Sequence, residues 1–431
     1  MCLIKLKSDN PKLSYILYKN PESGMQLRSI RQGHAFGFYT GNNNDKYIIY
    51  FRDGPNEMSY KEYRDQHFEY LNKLRYTSPI FVLNAISEFL NASTNAKHAD
   101  DIDNMYTCQL TNISVTIDNH TLNILKRLDS FFTNFKIEVV EKAANTYKVK
   151  IVSKKSLYLL LNFSVVYFTL ISMLNSECDL DMSESLIEKL CRCINIIDAP
   201  YYIRYVVNSR IITNSKLFTK FRPMLQKENM VLNFGNTAIH RRTFIREMLA
   251  FDNDIIDYGC GSGFYTIPFA QKLAKVDLKL RYYAIDINEH ELFVLDRKLK
   301  ENEIANVFLA NSHNALINHL TNDKKYDIII SEVIEHNEIK ESQEIIRWLI
   351  HNVNFNKIFV TTPNKEFNVN YSLGSGMRHE DHKWELTTDE FKKYVEETLI
   401  GIDNLNITYL QIGDKVNSIS CSQGILIQRK N

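Results

Sequence analysis

The sequence predicts an α/β protein: a parallel sheet with helices on both faces in the C-terminal half, preceded by an α+β N-terminal domain. Three observations lead there. Between residues 254 and 363, strand-like apolar runs alternate with amphipathic helical ones, the rhythm of a parallel sheet. A glycine-rich turn, Asp257-Tyr-Gly-Cys-Gly-Ser-Gly263, separates the first of these strands from the helix that follows. The first half has no such rhythm and mixes hairpin-like strands with separate helices.

In chain order, His34–Thr40 and Lys46–Phe51 are rich in β-formers and flank the polar turn GNNND, which predicts two strands. Ser78-Pro79 opens a helix through IFVLNAISEFL, with Ser at the cap and Pro at the first helical position. Thr121–Phe132 reads as a second amphipathic helix, and Phe135–Glu141 with Thr146–Val152 as a hairpin. Leu157–Leu174 is apolar enough to raise the question of a membrane span. Asn162, Ser164 and Ser172 interrupt it and no second span accompanies it, so a buried core helix or strand pair is expected. Ser183–Arg210 is helical again, and the polar stretch from Asn214 to Asn229 suggests a boundary, giving domains 1–215 and 216–431. Beyond it, DIIDYG, RYYAID, NVFLA, DIIISE and KIFVTTP read as strands. Phe264–Leu273, Glu289–Asn302 and Gln343–Val353 read as the helices between them. Ligands of such sheets bind at the carboxyl ends of the strands.

A length of 431 residues suits two or three domains at roughly 150 residues each. Lys+Arg 52 against Asp+Glu 51 leaves a net charge of +1. Extensive coating of a nucleic acid needs a basic excess, so that role is disfavoured, while a small local site is not. Seven cysteines without a C-x-x-C pair suggest neither a disulfide framework nor a zinc ribbon, and fit a reducing cytoplasm. The N-terminus shows no apolar stretch of signal-peptide length.

Gly259, Gly261 and Gly263 allow a tight turn and close approach of backbone to a ligand. The pattern D-x-G-x-G-x-G is neither the dinucleotide fingerprint nor a P-loop. The acid before the turn, Asp257, suits an amine-bearing ligand, and Asp286 at the end of the next strand can accept from two ribose hydroxyls. A second constellation follows the strand YDIIIS, which runs into Glu332-Val-Ile-Glu335-His336. A helical turn there would place Glu332 and His336 at i and i+4, with Glu335 beside them. The later run Arg378-His379-Glu380-Asp381-His382 adds two imidazoles. Carboxylates with imidazoles make a mixed metal site that suits Mn²⁺, Fe²⁺, Co²⁺ or Zn²⁺ better than Mg²⁺. Spacing leaves open whether His379 or His382 completes it.

DYGCGSG followed by EVIEH, TTPNKEFN and RHEDHKWE resembles the small-RNA 3′-terminal ribose 2′-O-methyltransferase family. LSYILYKNPE, QGHAFGFYT and RYTSPIFVLNAISEFL resemble its bacterial RNA-repair branch. The resemblance implies a C-terminal class I (Rossmann-like) methyltransferase sheet. It implies S-adenosylmethionine held by Asp257, Gly259, Gly261, Gly263, Asp286, Ser312 and Arg241. Arg242 is the alternative to Arg241, because NFGNTAIHRR departs from the family's usual run before the first strand. A divalent metal, Mn²⁺ foremost, would sit on Glu332, Glu335, His336 and His382. His379 would be the general base beside the reacting hydroxyl, with Glu332 and His336 as the other catalytic residues, and Asn364, Glu366, Asn368 and Arg378 near the substrate. The first half would dock a polynucleotide kinase–phosphatase–ligase and activate its ligase, in a hetero-oligomer that acts on RNA 3′ ends away from membranes. Two alternatives stand beside this: the same fold acting on a small molecule or a base, and a chain that is primarily an interaction or activator subunit.

Overall fold

The computed structural model describes residues 2–30, 33–41, 43–52, 77–175, 182–371 and 376–430. Gln32, Asn42, Arg75, Tyr76 and Cys178, which entered the reading above, lie outside them. The chain forms two compact units, Met1–Lys227 and Glu228–Asn431.

The first unit is built on β1 (Cys2–Ser8), β2 (Gln26–Ile30), β3 (Gly33–Thr40), β4 (Lys46–Arg52), β5 (Cys108–Thr116), β6 (Lys136–Ala143) and β7 (Thr146–Ser153). They form one antiparallel sheet in the order β2-β3-β4-β1-β5-β7-β6. The expected strand pair and the expected hairpin are β3/β4 and β6/β7. The helix expected after Ser78 spans Ile80–Asn84 and passes into a π-helical turn over Ala85–Phe89. Leu157–Leu174 is a single helix, 83% buried inside the unit. Its interrupting polar groups bond as follows: Ser164 and Ser172 donate to the carbonyls of Leu160 and Phe168, and Asn162 donates to those of Tyr158 and Thr94, while its Oδ1 is buried without a partner. An all-round apolar helix of this kind belongs in a core.

The boundary falls at 227/228 and not at 215/216. The polar stretch that suggested a linker is instead a helix, Ser215–Leu225, capped by Asn214, whose side chain accepts from the Leu217 N–H. Phe221 and Leu225 are buried. The buried guanidinium of Arg204 donates to the Leu225 carbonyl at 2.9 Å, which ties this helix to the first unit.

The second unit carries β8 (Met230–Val231), β9 (Asp254–Tyr258), β10 (Tyr282–Ile285), β11 (Val307–Ala310), β12 (Tyr326–Ser331), β13 (Phe355–Pro363), β14 (Leu405–Val416) and β15 (Ile419–Arg429). Their order is β11-β10-β9-β12-β13-β15-β14-β8. The five strands from β9 to β13 are parallel, as expected. Antiparallel pairing of β13, β15, β14 and β8 then extends the sheet beyond what the rhythm predicted. Alternation along the strands feeds two cores: Ile328, Ile330, Ile358 and Val360 face one side, Ile329 and Phe359 the other. Helices Ile339–Asn352 and Thr388–Leu399 cover the first side. Thr237–Met248, Thr266–Val276 and Glu289–Glu301 cover the second. The carboxyl ends of β9, β10, β12 and β13 therefore open on one edge, where the chemistry-bearing residues lie.

Candidate active site

The glycine turn leaves β9 and folds back on β10. The Gly259 and Cys260 N–H groups both donate to the Ile285 carbonyl, at 2.8 and 3.0 Å, and the Gly261 N–H donates to Asp286 Oδ2 at 2.8 Å. Gly259 and Gly261 have φ of 74° and 49°, left-handed values that side chains resist. The result is a cavity of about 710 Å³ whose wall includes Gly259, Asp286, Ser312, Glu332, His336 and Asp381. Asp286 and Ser312 both line this cavity. Asp257 does not: it is no part of this wall and lies buried beneath the turn. Its Oδ2 accepts from Thr266 Oγ1 at 2.8 Å and Tyr282 Oη at 3.0 Å. Burial raises its pKa to about 6, because the charged form is poorly solvated there. In this position Asp257 buttresses the β9 end, the following helix and β10.

After Ser331 the chain departs from the expected helical turn. Glu332 adopts φ 57°, and only Ile334–His336 forms one 3₁₀ turn. The two carboxylates take different partners. Glu332 Oε2 lies 3.1 Å from Arg241 Nη1, and its Oε1 accepts from Thr361 Oγ1 at 3.4 Å. Arg241 also donates to Ser422 Oγ, whereas Arg242 stacks on Phe264 at 4.2 Å and donates to that residue's carbonyl. Of the two arginines, Arg241 is the one in contact with a cavity-lining residue.

Glu335 and His336 turn toward His382, and one ligand atom from each lies within 4.8 Å of the others. Two contacts hold the loop against the turn. The Lys383 N–H donates to the Glu335 carbonyl and Trp384 Nε1 to that of Asn337, each at 2.8 Å. Glu335 is fully buried; its Oε2 accepts from Thr362 Oγ1 at 3.1 Å, while its Oε1 is buried without a hydrogen-bond partner. Burial, reinforced by the neighbouring Glu332 carboxylate, holds the Glu335 carboxyl well above its usual range. A buried carboxylate oxygen without a donor is costly. A divalent cation among these three groups would satisfy it, so the donor set fits a metal of the kind that takes mixed oxygen and imidazole ligands.

His379 is not one of the three, although its ring lies 5.7 Å from that of His382. Its side chain is 74% exposed, and its Nδ1 lies 2.8 Å from Asp381 Oδ1. The other Asp381 oxygen is 3.2 Å from His336 Nδ1. Asn364 and Asn368, expected near substrate, are 3% and 2% exposed and face inward. Arg378 donates from Nε to Asn368 Oδ1 and from Nη2 to the Asn364 carbonyl, both at 2.7 Å. Glu366 accepts from the Thr388 N–H and hydroxyl. These four brace one another. Glu385 and Thr362 were missed. Glu385 closes RHEDHKWE three residues after His382, a spacing that was available as a signal; Thr362 gave none.

Comparison with known proteins agrees with this architecture. The family model described as the Hen1 N-terminal domain matches residues 3–230, and a methyltransferase domain model matches residues 252–410. Two solved structures of the Pnkp1/Rnl/Hen1 complex, one described as an RNA repair complex, contain a chain of the same fold. The TM-scores are 0.79 and 0.76, with 22% identity over 99% of this chain and 100% of theirs in both cases. No curated protein gives a match. The N-terminal family model alone spans more than half of the sequence, and the chain belongs to the Hen1 family.

Proposed function

We propose that this chain transfers a methyl group from S-adenosylmethionine to the ribose 2′-oxygen of an RNA 3′-terminal nucleotide, assisted by a divalent cation, Mn²⁺ foremost. One observation carries the reading. The Glu335, His336 and His382 cluster, with its unpartnered buried oxygen, adjoins the cavity over the glycine turn, and His336 belongs to both. Asp286 would meet the cofactor ribose, the glycine backbone and Ser312 its body, and Arg241 its carboxylate. Glu335, His336 and His382 would hold the cation; Glu332, whose carboxylate pairs with Arg241, is the fourth ligand expected from the sequence. A bound divalent cation lowers the pKa of a coordinated hydroxyl and orients it.

His379 is the base in this reading. Asp381 accepts from its Nδ1, which leaves Nε2 with a lone pair for the 2′-hydroxyl proton. The 2′-oxygen then bonds to the methyl carbon as the carbon–sulfonium bond breaks, leaving S-adenosylhomocysteine. For the first unit we propose docking to a polynucleotide kinase–phosphatase–ligase and activation of its ligase, in a hetero-oligomer. The N-terminal family match and the full-length likeness to chains of the Pnkp1/Rnl/Hen1 complex support it. Transfer of a labelled methyl group to a short RNA is expected to require added Mn²⁺ and to stop with excess chelator. Chelator-resistant transfer, or transfer to a free base in place of RNA, would contradict the reading.

A further inference from the structure

The residues between Asn364 and Glu385 form a hydrogen-bond chain whose direction is locked at both ends. Arg378 is a donor only, and an ionised carboxylate is an acceptor only. Arg378 Nε donates to Asn368 Oδ1, so the Asn368 amide must turn its Nδ2 toward Glu385 Oε2. Glu385 Oε1 accepts from the Arg378 N–H at 2.8 Å and lies 2.6 Å from His382 Nδ1. Glu385 is 4% exposed and His382 8%, so water does not compete for this pair. With the Arg378 N–H and Asn368 Nδ2 already donating to this carboxylate, its 2.6 Å contact with His382 is met by a hydrogen on Nδ1. In a neutral imidazole that leaves Nε2 as the lone-pair atom.

We propose that Glu385 is a positioning residue that fixes His382 as its Nδ1–H tautomer and presents Nε2 to Glu335 and His336. By the same geometry Arg378 and Asn368 act on Glu385 through hydrogen bonds, and the Asn364 carbonyl holds Arg378. The inference rests on the metal reading above. Carboxylates that orient a ligating histidine commonly change metal affinity by about 10–100-fold when removed. His336 has a similar partner in Asp381, but that carboxylate is 62% exposed and shared with His379, so its loss should matter less.

The test uses the full chain and Mn²⁺ alone. Calorimetry is expected to show Mn²⁺ binding weakened by about 10–100-fold in Glu385→Gln and less in Asp381→Asn. S-adenosylhomocysteine affinity should stay unchanged, which a loss of folding would not permit. Asn368→Ala, which leaves the carboxylate in place, should give an intermediate loss. Nitrogen-15 spectra of the metal-free wild type should show His382 protonated at Nδ1. A wild type that binds no Mn²⁺ would overturn the metal reading. A wild type that binds Mn²⁺ while Glu385→Gln binds it equally well, or a His382 protonated at Nε2, would overturn the role of Glu385.

Discussion

Glutamine in place of Glu335 is expected to slow methyl transfer by at least about a hundredfold while leaving the metal-free fold intact. The two effects have one origin. Glu335 is fully buried, with one oxygen on Thr362 Oγ1 and the other without a partner. A neutral amide of the same shape keeps the Thr362 hydrogen bond and removes a carboxylate whose ionisation in the interior is unfavourable. It also removes the negative ligand of the cluster. A cation of this kind contributes several kcal/mol to the transition state, and about 1.4 kcal/mol corresponds to a factor of ten. Single-turnover transfer to RNA measures the first effect. Thermal unfolding measures the second: the variant without metal should melt at or above the wild-type temperature, and it should lose the rise that Mn²⁺ gives to the wild type. A variant with normal transfer would remove Glu335 from the site.

Alanine at Gly259 should remove most cofactor binding and destabilise the second unit. Its φ of 74° is unfavourable for a side chain, and a Cβ there would lie 2.4 Å from Val333 Cγ2. Left-handed backbone costs about 1–2 kcal/mol and overpacking about 1–3 kcal/mol. Val333 is β-branched and directly follows Glu332, so it has little freedom to yield without disturbing the residues that line the cavity. Gly261 offers the control: no atom lies within 4 Å of a Cβ built there, so Gly261→Ala should carry only the backbone cost. Urea unfolding should rank Gly259→Ala well below Gly261→Ala. S-adenosylhomocysteine calorimetry should show at least about a tenfold loss for Gly259→Ala, the equivalent of roughly 1.4 kcal/mol. Equal stability of the two variants would contradict the packing assigned to the turn.

Much of the second unit was legible because its five parallel strands are short apolar runs separated by amphipathic helices. The hairpin β14/β15 was not, because its tight turn is Asn417-Ser418. Both residues have positive φ, 50° and 67°, yet the strongest hairpin signal is a glycine after the Asn. In the first unit β3, β4, β6 and β7 and the buried character of Leu157–Leu174 were readable from composition, whereas β1, β2 and β5 were not. Ser215–Leu225 was not, since its polar face is wide and its buried side is only Phe221 and Leu225.

Within the site, local spacing brought Glu335, His336 and His382 to notice, and the fold gathers them. Spacing could not place Glu332, whose left-handed backbone turns it to Arg241, a partner 91 residues earlier. Asp257 shows the same limit from the other side. Its position before the turn suggested a ligand contact, but β-strand alternation and the hydroxyls of Thr266 and Tyr282 bury it. The inward orientation of Asn364, Asn368 and Arg378 depends on tertiary hydrogen bonds that no motif encodes.

The most direct measurement compares methyl transfer to RNAs identical except at the 3′ terminus: a 2′,3′-diol, a 2′-deoxy, a 3′-deoxy and a 3′-phosphate end, each with Mn²⁺. A cation that engages both terminal hydroxyls predicts transfer to the diol alone. Efficient methylation of the 3′-phosphate end would contradict it.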